Sequence, residues 1–253
     1  MIQMTTSSKE VKSQIRKKVW SEMEKKNVAA FPRPVYGRIP NFIGSEKAAN
    51  RLFSKDFWIY SRVIKVNPDA PQRVVREKAL RDGKLLIMPT PRIREGFLLL
   101  DPRFIPKHAI RVASTISGAF RYGKLIKVEE IPQIDLIVTG SVAVNKKGAR
   151  IGKGGGYAEL EYAILKEYKK IGDKTPIVTT VHDIQVLDIE WPVEKHDLFV
   201  DWIFTPKKEI KIEGKKPRPE GLYWDLLDAE KIFKIPILRK LFNKRKETQG
   251  GNI

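Results

Sequence analysis

The chain has 253 residues, no cysteine, and 49 Lys and Arg against 30 Asp and Glu, which gives a formal net charge of +19. The lack of cysteine excludes disulfides, thiolate metal sites and a cysteine nucleophile. No apolar run reaches the roughly 18 residues of a membrane span, and the first 19 residues lack the apolar segment of a signal peptide. We therefore expect a globular cytoplasmic protein without membrane contact. Its charge favours polyanionic ligands, or alternatively is the charged surface of a heat-adapted protein.

Apolar periodicity in the first half of the chain predicts helices separated by short strands. Val11, Ile15, Val19 and Met23 recur at every fourth position, which indicates a helix over residues 9–26. Proline-rich sequence then stops this helix. The further predicted helices are Lys47–Ile59 and Gln72–Arg81, and the predicted strands are Arg62–Val66, Leu85–Met88 and Gly96–Leu100.

The second half of the chain repeats this alternation more clearly. Tyr157–Lys169 has the pattern of a helix with one apolar side. Predicted strands are Asp135–Val138, Ile177–Val181 and Trp202–Phe204. Short apolar strands alternating with helices are typical of a mostly parallel sheet covered on both faces. We predict an α/β protein with three α/β/α layers, followed by an exposed basic loop over Lys207–Pro219.

Four glycines stand between a strand and a helix in Arg150-Ile-Gly-Lys-Gly-Gly-Gly-Tyr157. Glycines allow positive φ and close approach of the backbone to a ligand. Successive N–H groups and the positive end of the helix at Tyr157 can then converge on phosphate oxygens, and Arg150 and Lys153 add charge. The spacing matches neither a Walker A loop nor a Rossmann fingerprint. We predict a site for a phosphorylated ligand, by preference a nucleotide; the alternative is a flexible turn.

A second polar segment precedes the last predicted strand. It offers the carboxylates of Glu194, Asp197 and Asp201. Oxygen ligands of this kind suit Mg²⁺ bridged to phosphates, although an acidic solvated loop explains the same residues. His182 and His196 are too isolated to predict histidine chemistry.

Several motifs together resemble the 5-formyltetrahydrofolate cyclo-ligase family, also called methenyltetrahydrofolate synthetase. They are Lys12-Ser-Gln-Ile-Arg16, Asp82-Gly-Lys-Leu-Leu-Ile-Met-Pro89, Ile134-Asp-Leu-Ile-Val138, the segment Gly148–Tyr157 and Glu194-Lys-His-Asp197. The resemblance covers about residues 9–206 and implies a three-layer α/β/α fold. It also implies closure of 5-formyltetrahydrofolate to 5,10-methenyltetrahydrofolate with ATP and Mg²⁺, releasing ADP and phosphate.

The resemblance also assigns roles to residues. Lys12, Arg150 and Lys153 are the expected catalytic cations. Asp69 and Tyr157 are expected at the pterin, and Glu159 and Asp197 at Mg²⁺. The expected nucleotide contacts are Lys12, Arg16, Arg150, Gly152, Lys153, Gly154, Gly155, Gly156 and Tyr157.

The sequence departs from the family pattern after the glycines. Where the family reads Gly-Tyr-Tyr-Asp-Arg, this chain reads Gly-Tyr-Ala158-Glu159-Leu160, and Asp69 replaces a glutamate expected near the pterin. The variant is similar to a subgroup typified by methenyltetrahydrofolate synthetase domain-containing proteins. We expect a disordered segment 1–8, the cyclo-ligase-like domain 9–206 with an insertion near 31–50, a basic loop and C-terminal extension 207–242, and a flexible tail 243–253.

Two functions remain open from the sequence. The first is an ATP-dependent cyclo-ligase acting on a folate or related pterin, as a monomer or homodimer. The second is a catalytically inactive nucleotide- or RNA-binding protein on the same fold, suggested by the charge and by Trp20, Trp58 and Tyr60 near basic residues. Those aromatic residues fit a core equally well, and no nucleic-acid-binding motif is visible, so nucleic acid is possible but not favoured.

Overall fold

The computed structural model describes residues 7–214 and 216–250. The helices are α1 (Ser8–Lys25), α2 (Ser45–Phe53), α3 (Asp56–Ile59), α4 (Arg73–Arg81), α5 (Ile110–Ala113), α6 (Ile116–Tyr122), α7 (Tyr157–Glu167), α8 (Ala229–Lys234) and α9 (Pro236–Gly250). The strands are β1 (Val63–Val66), β2 (Leu85–Pro89), β3 (Phe97–Leu100), β4 (Lys124–Ile126), β5 (Leu136–Thr139), β6 (Ala143–Asn145), β7 (Arg150–Ile151), β8 (Ile177–Thr180), β9 (Val186–Leu187), β10 (Trp202–Phe204) and β11 (Glu209–Lys211). No helix in the described ranges combines the length and apolarity that crossing a bilayer requires.

Eight of the described strands form one sheet in the order β11-β10-β8-β5-β1-β2-β3-β4. Its central pairs, from β10 through β2, are parallel, and both outer parts are antiparallel. The chain proceeds from β1 to β2 on one side and from β5 to β8 on the other, so the direction of winding reverses between β1 and β5. Open α/β sheets bind ligands at such a reversal, beyond the carboxyl ends of the strands.

Period-two alternation sends successive strand residues to two different cores. Ile64 and Val66 face α2, α4, α5 and α6, whereas Val63 faces α7 and the C-terminal helices. The predicted three-layer α/β/α arrangement is confirmed. The same alternation puts Lys65 on the α7 side, where only a buried partner can stabilise its charge.

A third core joins α1 to a smaller sheet, β7-β6-β9, and to the segment near 31–50. Val35, Ile39 and Phe42 of that segment are buried in it. Trp20 of α1 donates its indole N–H to the carbonyl of Arg38, at 3.0 Å. The insertion is therefore packed against α1. Trp20 and Trp58 are core residues and Tyr60 is exposed.

Three predictions about elements are wrong. Lys47–Ile59 is two helices, because Ser54 bonds its hydroxyl to the carbonyl of Arg51 and Lys55 is extended. Part of the loop Lys207–Pro219 is strand β11, which pairs with β10. The flexible tail predicted over 243–253 is instead part of α9 as far as Gly250, and its last three residues lie outside the described residues.

The predicted disordered segment 1–8 lies outside the described residues up to residue 6. Ser7 is the N-cap of α1 and forms a capping box with Glu10, and Ser8 is the first residue of the helix. The first sequence-predicted helix is otherwise confirmed, since α1 covers Ser8–Lys25.

Candidate functional site

The glycine loop, Gly152–Gly156, connects β7 to α7. Gly154 has φ +103° and Gly156, the N-cap of α7, has φ +69°, conformations that favour glycine. The strand directly before the loop is β7 of the smaller sheet. The predicted strand Asp135–Val138, which is β5, is not the strand directly before the loop, because the hairpin β6–β7 lies between β5 and the loop. The helix nevertheless begins at the loop and points its positive end towards it, as predicted.

The two cations predicted on α1 both reach this region. The guanidinium of Arg16 donates to the carbonyl of Gly152 at 2.7 Å and lies 3.6 Å from where a Cβ on Gly154 would be. Lys12 is buried and donates to Asp197 at 2.5 Å and to Glu194 at 3.3 Å. Burial, the largest cause, and Arg150 lower the pKa of Arg16, against opposing effects of Glu159 and Asp197. The fold therefore brings α1, the glycine loop and the acidic segment together.

Arg150 is buried and holds two parts of the site together. Its Nε donates to the carbonyl of Gly140, the residue that follows β5, at 2.9 Å. Its Nη1 pairs with Glu159 of α7 at 2.5 Å. A Cβ on Gly152 would lie 2.9 Å from its Nη2, so the glycine allows the guanidinium to pass beneath the loop. The predicted nucleotide cation is thus also a structural link between β5 and α7.

Lys153 and Asp69, predicted for the phosphates and the pterin respectively, form an ion pair at 2.8 Å. The Asp69 backbone is fixed by Arg76, which donates to the carbonyls of Asn67 and Asp69 at 2.5 and 3.0 Å. Burial, partly opposed by Asp69, lowers the pKa of Arg76 to about 9. The two predicted binding regions therefore meet directly.

A large cavity of about 1230 Å³ lies beside the glycine loop, and both Lys153 and Asp69 contribute to its wall. It lies at the β1–β5 reversal, since Asn67, which follows β1, contributes to its wall. The insertion also contributes through Phe31, Arg38 and Ile39. Besides Arg38 and Lys153, the cationic side chains in the wall are Arg73, Arg76, Arg92, Arg111 and Arg150. The cavity thus suits an anionic ligand of considerable size.

A buried ion pair reaches the wall of this cavity through its carboxylate, since Glu161 contributes to the wall. Lys65 of β1 donates to Oε2 of Glu161 on α7, and Asn67 donates to the same oxygen at 2.8 Å. Burial raises the pKa of Glu161, Lys65 opposes this and Asp69 adds to it. Sequence reasoning did not select these residues. A lysine in the apolar strand Val63–Val66 was the available signal, because a buried lysine needs a partner.

The acidic segment does not place all its carboxylates together. Glu194, His196 and Asp197 offer ligand atoms that lie within 4.8 Å of one another. Asp201 instead accepts bonds from the backbone N–H of Ile177 at 2.8 Å and from Arg218 at 2.5 Å. The inclusion of Asp201 in a metal-binding constellation is therefore not supported: its carboxylate connects β8 to the segment after β11.

Asp201→Asn is expected to lower the free energy of unfolding by about 1–3 kcal/mol, because the neutral amide loses the ion pairs with Arg218 and Lys216. Nucleotide affinity should not change. Asp197→Asn is the matched comparison and should weaken Mg·ATP binding. Urea denaturation and calorimetric titration measure the two effects. Equal loss of affinity in both variants would contradict this division of roles.

The carboxyl of Glu159 has a lowered pKa. Burial acts to raise it, but Arg150, a backbone hydrogen bond and His196 together bring the pKa below the ordinary 4.5. A lowered folded-state pKa contributes stability above the unfolded pKa, and this contribution is lost as pH falls through the folded value. We expect the free energy of unfolding to decrease more steeply from about pH 4.5 downwards in the unaltered chain than in Glu159→Gln. Denaturant titrations across that range test this; equal slopes would contradict it.

The fold and these contacts together define an α/β domain with a glycine loop and a cationic cavity at the reversal of the sheet. A sequence model of the 5-formyltetrahydrofolate cyclo-ligase family matches residues 8–206. The chain belongs to this family.

Similar proteins agree with this assignment. A methenyltetrahydrofolate synthase domain-containing protein of Danio rerio is 45% identical over 235 residues, which are 92% of this chain and 62% of that protein. Its Homo sapiens counterpart is 43% identical over 243 residues, which are 95% of this chain and 63% of that protein. This chain thus spans less than two thirds of the length of either relative. The structure of Aquifex aeolicus 5,10-methenyltetrahydrofolate synthetase has a TM-score of 0.52 at 21% identity and covers 81% of this chain and 95% of that one, which supports the fold.

Proposed function

We propose that the protein closes 5-formyltetrahydrofolate, or a related pterin, to the 5,10-methenyl form with consumption of ATP. In the reaction the formyl oxygen attacks the γ-phosphorus, forming a P–O bond as the bond to ADP breaks. N10 then attacks the activated carbon, and the C–O bond breaks to release phosphate as N10 loses its proton. The protein must therefore hold a phosphate and a pterin in line and stabilise the negative charge.

The contact between Lys153 and Asp69 carries the proposal. Lys153 belongs to the loop suited to phosphates, and Asp69 is the carboxylate expected at the pterin. Their side chains are 2.8 Å apart in the wall of one cavity of about 1230 Å³. A ligand at Asp69 is therefore within reach of a phosphate at the glycine loop. Membership of the cyclo-ligase family supports the same reaction class.

The proposed phosphate contacts are the N–H groups of the glycine loop with Lys12, Arg16, Arg150 and Lys153. Arg16 already bonds the loop, and Lys153 is exposed enough to turn towards a ligand. Asp69 and Tyr157 are the proposed pterin contacts, and both contribute to the wall of the large cavity. Together these residues orient the reactants and offer cations where negative charge develops.

The residues present fit Mg²⁺ in their donor chemistry. Glu159 and Asp197 offer carboxylate oxygens beside the glycine loop, and both lie near Arg16, whose pKa they influence. Mg²⁺ commonly binds through one or two carboxylates and the phosphates of a nucleotide. When bound, the ion would neutralise phosphate charge. In the structure these carboxylates are neutralised by Arg150 and Lys12.

Turnover of 5-formyltetrahydrofolate with ATP and Mg²⁺, followed through the absorbance of the methenyl product, tests the proposal. We expect product only when both ATP and Mg²⁺ are present, and weaker ATP affinity in Arg16→Ala and Lys153→Ala. Lys147→Ala is a suitable control because Lys147 is exposed and pairs only with Glu190 among its described ionic contacts. Absence of turnover together with absence of pterin binding would remove the proposal.

A second candidate is a binding protein that has lost the reaction. Leu160 is buried where the family has an arginine, and the net charge of +19 suits RNA or free nucleotides. RNA affinity that falls steeply with salt would support this function. Affinity that does not depend on salt would argue against it.

A further inference from the structure

A second cavity, of about 90 Å³, adjoins the glycine loop. It shares Gly156 and Glu159 with the wall of the large cavity. Much of the remaining wall comes from the segment Pro219–Lys231, which lies beyond the family match at residues 8–206.

One end of the second cavity is polar and lies at the glycine loop. Lys231 donates to the carbonyl of Gly155 at 2.9 Å, and its Nζ would lie 3.6 Å from a Cβ on Gly156. It also lies over the ring of Tyr157 at 5.6 Å. His196 belongs to the same wall, and its Nδ1 is buried with no hydrogen-bond partner among the described residues. This end therefore offers a cation and an unused ring nitrogen.

The rest of the second cavity is mainly apolar. Helix α7 contributes Leu160 and Ala163, and the C-terminal segment contributes most of the other side chains, namely Leu222, Tyr223, Leu226 and Leu227. An apolar slot with a cationic end matches a nucleotide, whose flat base is weakly hydrated and whose phosphates are strongly charged.

The segment is held in place by the core. Ile235 and Leu238, just after it, are buried in the same core as α7. The backbone N–H of Leu222 donates to Glu167 of α7 at 2.9 Å. Lys231 is therefore positioned at the loop by packing on both sides.

We propose that Pro219–Lys231 completes the nucleotide site: the base of ATP binds in the second cavity, and Lys231 contacts its phosphates with the glycine loop. This inference rests on the proposed function, because it assumes ATP as the phosphate donor. Arg150, Gly152 and Lys153 contribute to the wall of the large cavity, so the phosphates would lie at the boundary of the two cavities and the pterin in the rest of the large one. The two ligands meet at Gly156 and Glu159, which the cavities share.

Calorimetric titrations with Mg·ATP and with Mg·triphosphate, the inorganic chain without a nucleoside, separate the two halves of this site. Lys231→Ala is expected to weaken both ligands roughly tenfold or more, since it removes a charged donor. Lys234→Ala is the matched control, because Lys234 is on the same helix and pairs with Glu230 at the exposed surface. Ala163→Leu fills the apolar end and should weaken ATP but not triphosphate.

Leu226→Trp fills the same cavity from its opposite wall, where Leu226 is half-exposed. It serves as a second filling variant in case Ala163→Leu shifts α7. Binding of 5-formyltetrahydrofolate should be unchanged in all four variants, which controls for folding. The inference is overturned if ATP binds the unaltered chain and neither filling variant weakens it, or if they weaken the pterin instead. Failure of the unaltered chain to bind ATP overturns the proposed function as well, so the two failures are distinguishable.

Discussion

Arg150→Met is expected to lower the free energy of unfolding by about 3–5 kcal/mol and to abolish measurable binding of Mg·ATP. The substitution leaves Glu159, whose side chain is only 13% exposed, without its partner at 2.5 Å, and it leaves the carbonyl of Gly140 without its donor. Removing one member of a buried pair costs more than the pair contributes, because the remaining charge stays desolvated. Affinity for Mg·ATP is lost because the glycine loop no longer has the guanidinium of Arg150 against Gly152 to support it.

Arg103→Met is the control for this variant. Arg103, like Arg150, pairs with a carboxylate, that of Asp101 at 2.5 Å, but the side chain of Arg103 is 77% exposed. An exposed pair contributes about 0–1 kcal/mol, so this substitution should change stability little. Denaturant unfolding and ATP titration of both variants give the comparison. If Arg150→Met were as mild as Arg103→Met, the assigned role of Arg150 would be wrong.

Six strands could be predicted because each is a short apolar segment between glycines, prolines or polar residues, namely β1, β2, β3, β5, β8 and β10. Helix α7 could be predicted from its one apolar side, whereas β4, β6, β7, β9 and β11 were not predicted. Ile137 and its neighbours in β5, for example, are buried on both faces of the sheet, so the pattern is an uninterrupted apolar run. The glycine loop was recognisable from its residues alone. Its location at the reversal between β1 and β5 depends on strand order, which the local sequence does not contain.

The ionic contacts of the site could not be predicted because they join distant parts of the chain. Lys12 and Asp197 are 185 residues apart, and Lys153 and Asp69 are 84 apart. All four residues were predicted as site residues from the sequence, but the ion pairs that they form with one another were not. Asp201 illustrates the limit: it has the same local appearance as Asp197, yet the fold assigns it to Arg218.

The C-terminal region was underestimated for a different reason. Its polar sequence is typical of a frayed end, but the helix α9 is stabilised by rings from elsewhere in the extension. Phe242 packs on Trp224 with centroids 5.6 Å apart, and Arg245 lies 5.7 Å over the same indole. Such tertiary contacts override weak local preference, and they place Lys231 beside the glycine loop.

Breaking the ion pair between Lys65 and Glu161 is expected to have the second large effect. Both side chains are at least 95% buried, so Lys65→Met or Glu161→Leu should each lower the free energy of unfolding by about 3–5 kcal/mol. The double variant removes both charges together. Since replacing a whole buried pair by apolar residues is often neutral, it should recover most of that loss.

Ligand binding should not recover with stability. Asn67 and Glu161 contribute to the wall of the large cavity, so the double variant presents an apolar surface where a polar pterin edge needs hydrogen bonds. We expect a stable protein with at least tenfold weaker binding of 5-formyltetrahydrofolate, on the scale of a lost charged hydrogen bond. A matched cycle on the exposed Lys147–Glu190 pair, at 2.6 Å, should change neither property. A double variant that binds the pterin normally would show that the pair serves the core alone, whereas one whose loss of stability equals the sum of the two single losses would show that the charges are not coupled.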